Sequence, residues 1–384
     1  MFLVLGFANG IAQGFGVMVS HAFGAKDFKL LRHYVALSLI LTLIISLLLT
    51  IPTVTASRLL LAWMHTPENI IAMADAYIKV IFAGILLTMA YNVLSGILRG
   101  IGDSRTPLYF LILSSVLNII LDVVLIVYTG LGTAGAAYAT IIAQGVSAVY
   151  RKYEILRTRR EDYYLDSAGV KNMLAIGVPM ALNYSITAIG TMIMQSAVNV
   201  FGSSVVAAFT AASKVSNIAT QSMPTLGTAM ATYCGQNLGA GKYDRIYAGM
   251  RQGLFLCFGA AATAAAICIF GGRFIVSWFV SNPSEEIFSS AMQYLMIASW
   301  FFLPLAMIFL YRNALQGLDQ GLIPMLSGVV ELACRFGVIA LIPASTGFFG
   351  VCFADPAAWV GAGIPLFITY LLWEHRMKQR RKAA

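Results

Sequence analysis

Long apolar runs joined by short polar connections occupy almost the whole chain. A helix needs about 20 predominantly apolar residues to cross the hydrocarbon core of a bilayer. The pattern therefore predicts an all-α integral membrane protein with eleven transmembrane helices. The predicted helices lie near 1–20, 35–55, 72–98, 107–128, 131–150, 173–200, 203–235, 246–270, 290–311, 323–345 and 356–373.

The amino-acid composition also indicates an integral membrane protein. Charged residues make up 11% of the 384 residues and hydrophobic residues 59%, whereas soluble domains carry about 25% charged residues. So few charges do not cover the surface of a soluble protein of this size, and a disordered chain has the opposite composition. Both of those classes are excluded.

The basic residues are sorted between alternate connections. Of the 25 Lys and Arg residues, 20 fall in one set of connections and the tail, and only Arg58 and Arg273 fall in the opposite set. The positive-inside rule places the rich set, with the C-terminus, in the cytoplasm. We therefore predict a multi-pass protein of the cell (inner) membrane, and the net charge of +9 indicates topology rather than nucleic-acid binding.

An internal repeat runs through the chain. The Gly-Ala pair at Gly24 returns 215 residues later at Gly239, and further anchors return at an offset of 217. These offsets predict two parallel copies of one helical unit, a plan found in transporters. The anchors at 217 are Tyr77 with Tyr294, Gly100 with Gly317, and Pro107 with Pro324.

The second copy begins near residue 173, about 66 residues before Gly239, whereas only 23 residues precede Gly24. The repeat therefore predicts that one helix is missing from the front of the first copy. A start-site artefact, in which the fragment itself does not transport, stays open as an explanation.

Several motifs in order resemble the multidrug and toxic compound extrusion (MATE) family: HAFGAKDF, LRGIGDSRTP, NIILD, GAAYAT and QNLGAG. The resemblance implies two pseudo-symmetric six-helix lobes that exchange drugs for H⁺ or Na⁺. Residues 1–150 would be the N-lobe with family helices 2–6, and 173–384 the C-lobe with helices 7–12 and the basic tail. Residues 151–172 would be the cytoplasmic linker between the lobes, and their mixed polar and apolar pattern predicts an interfacial helix.

Only two of the 16 acidic residues are predicted to lie deep in helices, Asp122 and Glu331. An ionisable group at depth costs about 2.5–3.5 kcal/mol on insertion scales, so it usually marks an ion or substrate path. Asn118 shares a helix face with Asp122, and Tyr77 and Thr140 are predicted at the same depth. These four side chains form our candidate coupling-cation site, which would bind H⁺ or Na⁺. Na⁺ is the one metal ion that we predict for this chain.

The family resemblance supports that site. In the DinF-like branch the matching Asn, Asp, Thr and Tyr are implied to bind the cation, together with an Asp on the first helix. The other branch carries its acids in helices seven and ten, and this chain has no Asp or Glu within 173–200 or 287–318. The DinF-like site is therefore the one carried over.

A second candidate region lies in the later half. Lys214, Glu331 and Arg335 are predicted as deep charges, either a structural ion-pair set or a gate that contacts substrate. Tyr184, Met192 and Gln195 mix soft apolar and uncharged polar groups that suit flat cations. The four His are predicted in connections or at helix ends, which disfavours a His proton relay.

The predicted function is export of organic cations and other amphipathic compounds by antiport with H⁺ or Na⁺. The partners would be drugs and the lipid bilayer, with no nucleic acid, no cofactor and a monomeric chain. No HExxH, GxSxG or phosphate-binding loop is found, so an enzyme is not predicted. A lipid-linked oligosaccharide flippase of related architecture is the alternative, and a membrane-embedded transferase is a more distant one.

Overall fold

The computed structural model describes residues 2–63, 66, 68–147, 157–280, 284–341 and 344–383. Regular structure in these ranges is entirely helical, with no β-strand. The predicted all-α class is confirmed. The chain divides into two compact units, Met1–Ala181 (unit 1) and Leu182–Ala384 (unit 2).

Unit 1 contains seven α-helices and the first part of an eighth within the described residues. They are α1 (Phe2–Gly24), α2 (Phe28–Thr55), α3 (Ser57–Trp63), α4 (Glu68–Ala83), α5 (Ile85–Gly100), α6 (Arg105–Val123), α7 (Gly132–Ser147) and the start of α8 (Ser167–Asn199).

Unit 2 continues α8 and adds eight α-helices within the described residues. They are α9 (Ser203–Thr220), α10 (Ser222–Gly239), α11 (Tyr243–Val276), α12 (Glu285–Trp300), α13 (Phe302–Gly317), α14 (Leu322–Leu341), α15 (Gly347–Val351) and α16 (Ala354–Ala383).

The first family motif, HAFGAKDF, ends one helix and starts the next. Lys26 follows α1 in the left-handed region, with φ of 58°, and the amide of Asp27 donates to the carbonyl oxygen of Ala22 at 3.1 Å. This closes the helix end with a Schellman-type bond. The Asp27 carboxylate then accepts from the amide of Leu30 at 2.9 Å and caps α2. The motif therefore encodes a tight helix reversal.

The same turn geometry recurs three more times. Gly102 in unit 1 and Gly241 and Asp319 in unit 2 have φ of 92°, 66° and 61°. The amide after each of them donates to a carbonyl oxygen five residues earlier, at 2.9, 2.8 and 2.9 Å respectively. The positions 26 and 241, and 102 and 319, are related by the sequence offsets of 215 and 217. The backbone thus repeats where the sequence predicts that it should.

Each unit also contains one bent helix pair. Helices α4 and α5 meet at 46°, and α12 and α13 meet at 53°. The repeat anchors Tyr77 and Tyr294 lie on the first helix of each pair. The sequence predicts one continuous helix over 72–98 and another over 290–311, and the structure instead breaks them at Gly84 and Phe301.

By length and composition, seven described helices can cross a membrane, or nine if each bent pair counts as one span. The prediction of eleven crossings stays a prediction. Two of the eleven predicted spans are not among these nine. One corresponds to α7, which is described over 16 residues, and the other is the segment near 203–235, which is divided into α9 and α10 of 18 residues each.

The linker differs from its prediction. Residues 148–156 lie outside the described residues. Residues 157–166 contain only a short 3₁₀ turn, Arg160–Asp162, so the interfacial helix is wrong for this part. Asp162 is 4% exposed, and its carboxylate accepts from the amide of Arg159 at 2.7 Å. In residues 157–166, a hydrogen bond between the backbone and the buried Asp162 side chain therefore takes the place of a regular helical hydrogen bond. The lobe and linker boundaries predicted from the sequence stay predictions.

Candidate functional site

Helix α6 carries two of the predicted cation-site residues one turn apart. Asn118 and Asp122 are both half-buried. The Asn118 amide nitrogen donates to the hydroxyl oxygen of Thr140 on α7 at 3.3 Å. Thr140 donates its own proton to the carbonyl oxygen of Ala136 at 3.1 Å, as Thr in a helix often does. The structure therefore brings Asn118 and Thr140 together at the level of Asp122.

The carboxylate of Asp122 is only partly satisfied. Its Oδ1 is buried and accepts no hydrogen bond from any described residue. A buried carboxylate oxygen without a partner is unfavourable, and a proton or a metal cation relieves that cost. Asp122 also lies two residues before a π-helical turn, Val124–Tyr128, a local structure that is frequent at functional sites.

Tyr77, the fourth predicted oxygen ligand, lies on α4 and is half-buried. Helix α4 packs against α7, and Thr133 of α7 donates to the carbonyl oxygen of Met73 at 3.3 Å. Tyr77 is thus on a helix next to the one that carries Thr140. Its role as a ligand stays a prediction.

The predicted pair Glu331 and Arg335 belongs to a larger buried network in unit 2. Arg335 Nη2 lies 3.3 Å from Glu331 Oε1, and Arg335 Nε lies 2.9 Å from Asp355 Oδ1. Arg312 Nη2 lies 2.9 Å from Glu331 Oε2, and the phenol of Tyr294 donates to Asp355 Oδ2 at 2.9 Å. Two carboxylates thus face two guanidinium groups inside unit 2.

Arg312, Tyr294 and Asp355 are members of this network that the sequence did not predict. Arg312 is counted above among the basic residues of the cytoplasmic connections, but it lies within α13 and is 7% exposed. Asp355 begins α16 and its side chain is 13% exposed, so a further acid besides Asp122 and Glu331 is largely enclosed by protein. The depth of these acids in the membrane stays a prediction.

Lys214 does not belong to this ion-pair network, and its predicted depth in the membrane stays a prediction. The side chain is exposed on α9, and its ammonium lies 5.4 Å from the ring centre of Phe279. This cation–π contact is of the kind that an exposed amphipathic side chain makes. The described ion pairs join Glu331 to Arg312 and Arg335, with no contact to Lys214.

The three remaining predicted substrate residues lie on the part of α8 in unit 2. Tyr184 is 40% exposed and Met192 is 53% exposed. Gln195 donates to Asn199 Oδ1 at 2.9 Å. Tyr184 and Gln195 are eleven residues apart, close to three helical turns, so they share a face. This face is open within unit 2, and a substrate role for it stays a prediction.

Two repeated helical units with long apolar helices and a few buried ionisable groups define a multi-pass membrane transporter. The MatE family model matches residues 1–124 and 179–341 of the chain. The chain belongs to the MatE family, a multidrug efflux transporter family. The DinF-like branch and the missing first helix stay predictions.

Two relatives come from Bacillus subtilis (strain 168). The chain is 28% identical over 375 residues to the probable multidrug resistance protein YpnP, covering 96% of this chain and 83% of that relative. It is 30% identical over 315 residues to the probable multidrug resistance protein YoeA, covering 79% and 68%. Both similarities extend across most of the chain.

Solved structures show the same fold. A crystal structure of MATE in complex with MaL6 matches with a TM-score of 0.91 at 21% identity, covering 98% of this chain and 87% of that chain. An outward-facing multidrug resistance MATE family transporter of the MOP superfamily matches with a TM-score of 0.90 at 21% identity, covering 98% and 86%. The predicted MATE-type fold is confirmed.

Proposed function

We propose that the protein exports organic cations and other amphipathic compounds by antiport with H⁺ or Na⁺, and that Asp122 is the coupling carboxylate. The observation that carries this proposal is the buried Asp122 Oδ1, which has no hydrogen-bond donor among the described residues. A carboxylate in that position gains most from a proton or a cation, which is the property that coupling requires.

The neighbours of Asp122 support both choices of cation. Asn118 uses its amide nitrogen for Thr140, which leaves the amide oxygen as an acceptor. Carboxylate, amide and hydroxyl oxygens are hard ligands of the kind that alkali and alkaline-earth cations prefer. The Tyr77 phenol is the further ligand in this proposal. Protonation of Asp122 alone would equally remove its charge.

For the substrate we propose the face of α8 that contains Tyr184, Met192 and Gln195. Flat aromatic cations fit a surface that offers a phenol, a thioether and an amide, because dispersion and cation–π contacts tolerate varied shapes. Two of these side chains are exposed within unit 2. Glu331 and Arg335 are a gate in the same proposal, and Lys214, on the surface of α9, contributes a further substrate contact.

The flippase alternative is less well supported. A pyrophosphate carrier needs deep cations that are free to bind phosphate. Arg312 and Arg335 are instead paired with Glu331 and Asp355. The balance of charge in unit 2 therefore favours drug export over lipid-linked substrates.

We further propose that the protein is a monomer in the cell (inner) membrane, with its C-terminus in the cytoplasm. The distribution of basic residues supports this orientation, because the tail after residue 373 alone contains five Lys and Arg. No cofactor is required, since the coupling ion supplies the energy.

The test is efflux of ethidium or norfloxacin from proteoliposomes that contain the Asp122→Asn variant. We expect loss of efflux driven by an imposed pH or Na⁺ gradient, and comparison of the two gradients in the wild type identifies the ion. The matched control is Asp75→Asn, because Asp75 is an acid of unit 1 that is already paired with Lys79 at 2.7 Å. Full efflux by Asp122→Asn, at wild-type expression, would exclude the proposed role.

A further inference from the structure

The internal repeat maps three of the four candidate cation-site positions of unit 1 onto the charged network of unit 2. Helices α6 and α14 begin at Arg105 and Leu322, which are 217 residues apart, as are the anchors Tyr77 and Tyr294. This register aligns Asn118 with Arg335, and it aligns Asp122 with the apolar Ile339. Tyr77 is therefore equivalent to Tyr294, and Asn118 is equivalent to Arg335.

The helices after this pair align with an offset of 215. Gly132 and Gly347 start α7 and α15 with nearly the same left-handed φ, 53° and 56°. The motif GAAYAT at 135–140 then aligns with GVCFAD at 350–355. Thr140 is therefore equivalent to Asp355.

The contacts repeat as well as the positions. Asn118 bonds to Thr140 at 3.3 Å in unit 1, and the equivalent Arg335 bonds to Asp355 at 2.9 Å in unit 2. A neutral amide and hydroxyl pair in one unit is replaced by a guanidinium and carboxylate pair in the other. Asp122 Oδ1 in unit 1 accepts no hydrogen bond from a described residue, whereas Glu331 and Asp355 in unit 2 face a cation that belongs to the chain.

We propose that unit 2 contains a second cation site, for a guanidinium-type organic cation, and that the Arg335 side chain occupies this site in the present structure. Glu331 and Asp355 bind the guanidinium through one oxygen each, and Tyr294 orients Asp355 through its second oxygen. The comparison with unit 1 rests on the proposed function of Asp122. The contacts of Arg335 in unit 2 are independent of that function.

The site is shaped for the guanidinium group. A Cβ atom on Gly190 of α8 would lie 2.1 Å from Arg335 Nη1, so a larger residue at this position would require the guanidinium group to move. Arg335 is 4% exposed and Glu331 is 6% exposed. Removal of the Arg335 head group would leave Glu331 and Asp355 facing Arg312 alone, with one net negative charge in a buried site. Such a site favours binding of a replacement cation.

The experiment is chemical rescue in the purified full chain. Arg335→Ala is expected to lower Tm by about 10 °C, because breaking a buried ion pair costs several kcal/mol. Millimolar methylguanidinium is expected to restore a large part of the loss, since a ligand that binds only the folded state stabilises it. Tetramethylammonium has the same charge and no donors, so it is expected to restore little.

Two variants serve as controls. Arg273→Ala removes an exposed partner of Glu285 and should show neither the loss nor the rescue. Arg335→Ala combined with Asp355→Asn balances the charge and should fold with a weaker response to methylguanidinium, and it keeps the test valid if the single variant does not fold. A double variant that is as unstable as, or less stable than, Arg335→Ala overturns the proposal.

The proposal is also overturned if methylguanidinium gives no recovery or if tetramethylammonium recovers Tm equally well. Neither result bears on efflux by Asp122→Asn. If methylguanidinium does not rescue Arg335→Ala but Asp122→Asn loses efflux, only the second site is rejected. If methylguanidinium rescues Arg335→Ala but Asp122→Asn keeps full efflux, only the coupling role of Asp122 is rejected.

Discussion

Asn118 donates a hydrogen bond to Thr140 across 3.3 Å, and this bond joins α6 to α7 one turn before Asp122. Because Thr140 already donates to its own helix, its hydroxyl oxygen is the acceptor in this contact. The bond therefore fixes which end of the Asn118 amide is left for a cation.

Thr140→Val tests this orientation. Valine has a similar shape but no acceptor, so the Asn118 amide loses its fixed orientation. A lost hydrogen bond of this kind is worth about 0.5–1.5 kcal/mol, or up to about tenfold in affinity. We expect the cation concentration for half-maximal efflux to rise by up to that factor. Thr129→Val is the matched control, since Thr129 bonds only to Leu125 of its own segment, and an equal effect of both variants contradicts the prediction.

Gly317→Ala tests close packing in unit 2. A Cβ atom at Gly317 would lie 2.3 Å from the carbonyl oxygen of Ala231 on α10, so α10 and α13 must separate. We expect a loss of about 1–3 kcal/mol in the free energy of unfolding, as for other overpacked sites. Gly259→Ala on α11 meets no atom within 4 Å and should instead stabilise the helix by up to about 1 kcal/mol. Thermal unfolding in detergent distinguishes the two, and equal shifts would contradict the packing argument.

His33 and Asp166 join the linker segment to α2, and Asp166 should give a pH-dependent contribution to stability. His33 Nδ1 lies 3.1 Å from the carbonyl oxygen of Asp162, and its Nε2 lies 2.6 Å from Asp166 Oδ1. The ring of His33 also stacks on Tyr164 at 4.1 Å between centres.

The carboxylate side of this contact is ionised at neutral pH. The backbone amide of Gly169 donates to Asp166, and the His33 ring donates as well, so the pKa of Asp166 is held below its usual value. A lowered carboxylate pKa stabilises the fold at neutral pH, and that contribution is lost as pH falls through the lowered value.

We therefore expect Asp166→Asn to lower Tm at neutral pH, and to cost progressively less as pH falls through the lowered pKa of Asp166. The measurement is the difference in Tm between wild type and variant from neutral to acidic pH. Arg32, whose Nε lies 3.5 Å from Asp162 Oδ2, is a further charged group at this contact, with His21 of α1 and Arg99 of α5 at the same end of unit 1. Glu286→Gln, in the exposed first turn of α12, is the control, and a cost of Asp166→Asn that is independent of pH is the contrary result.

Asp27→Ala tests the helix reversal in the first family motif. The Asp27 carboxylate caps α2, and loss of such a cap costs about 0.5–2 kcal/mol. The position related by the repeat, Lys242, precedes α11 without a side-chain cap bond, so Lys242→Ala should leave the free energy of unfolding nearly unchanged. Chemical unfolding of the two variants checks this difference.

The sequence predicts the helical class and the repeat well because both depend on long-range periodicity. It also finds Asp122, since a lone acid in an apolar run is conspicuous. Arg312 and Asp355 escape because each lies close to the end of an apolar run, where position along the chain does not tell a solvated charge from a buried one. Only the partner across the bundle decides, and Glu331 and Arg335 supply it.

His33 was missed for a related reason. It falls near the start of a predicted helix among Lys and Arg, which indicates a solvated end. Its burial is caused by Asp162 and Asp166, which are 129 and 133 residues away along the chain. No local pattern connects segments at that distance.

The four left-handed helix ends have a wider consequence. Glycine occupies two of them, while Lys26 and Asp319 adopt the same left-handed backbone, at a steric cost for lysine and at a smaller one for aspartate. The glycine therefore lies at a different reversal in each half of the repeat, because Gly241 is equivalent to Lys26 and Gly102 is equivalent to Asp319. An alignment of the halves by residue identity alone understates their similarity, which a superposition of backbone torsion angles detects directly.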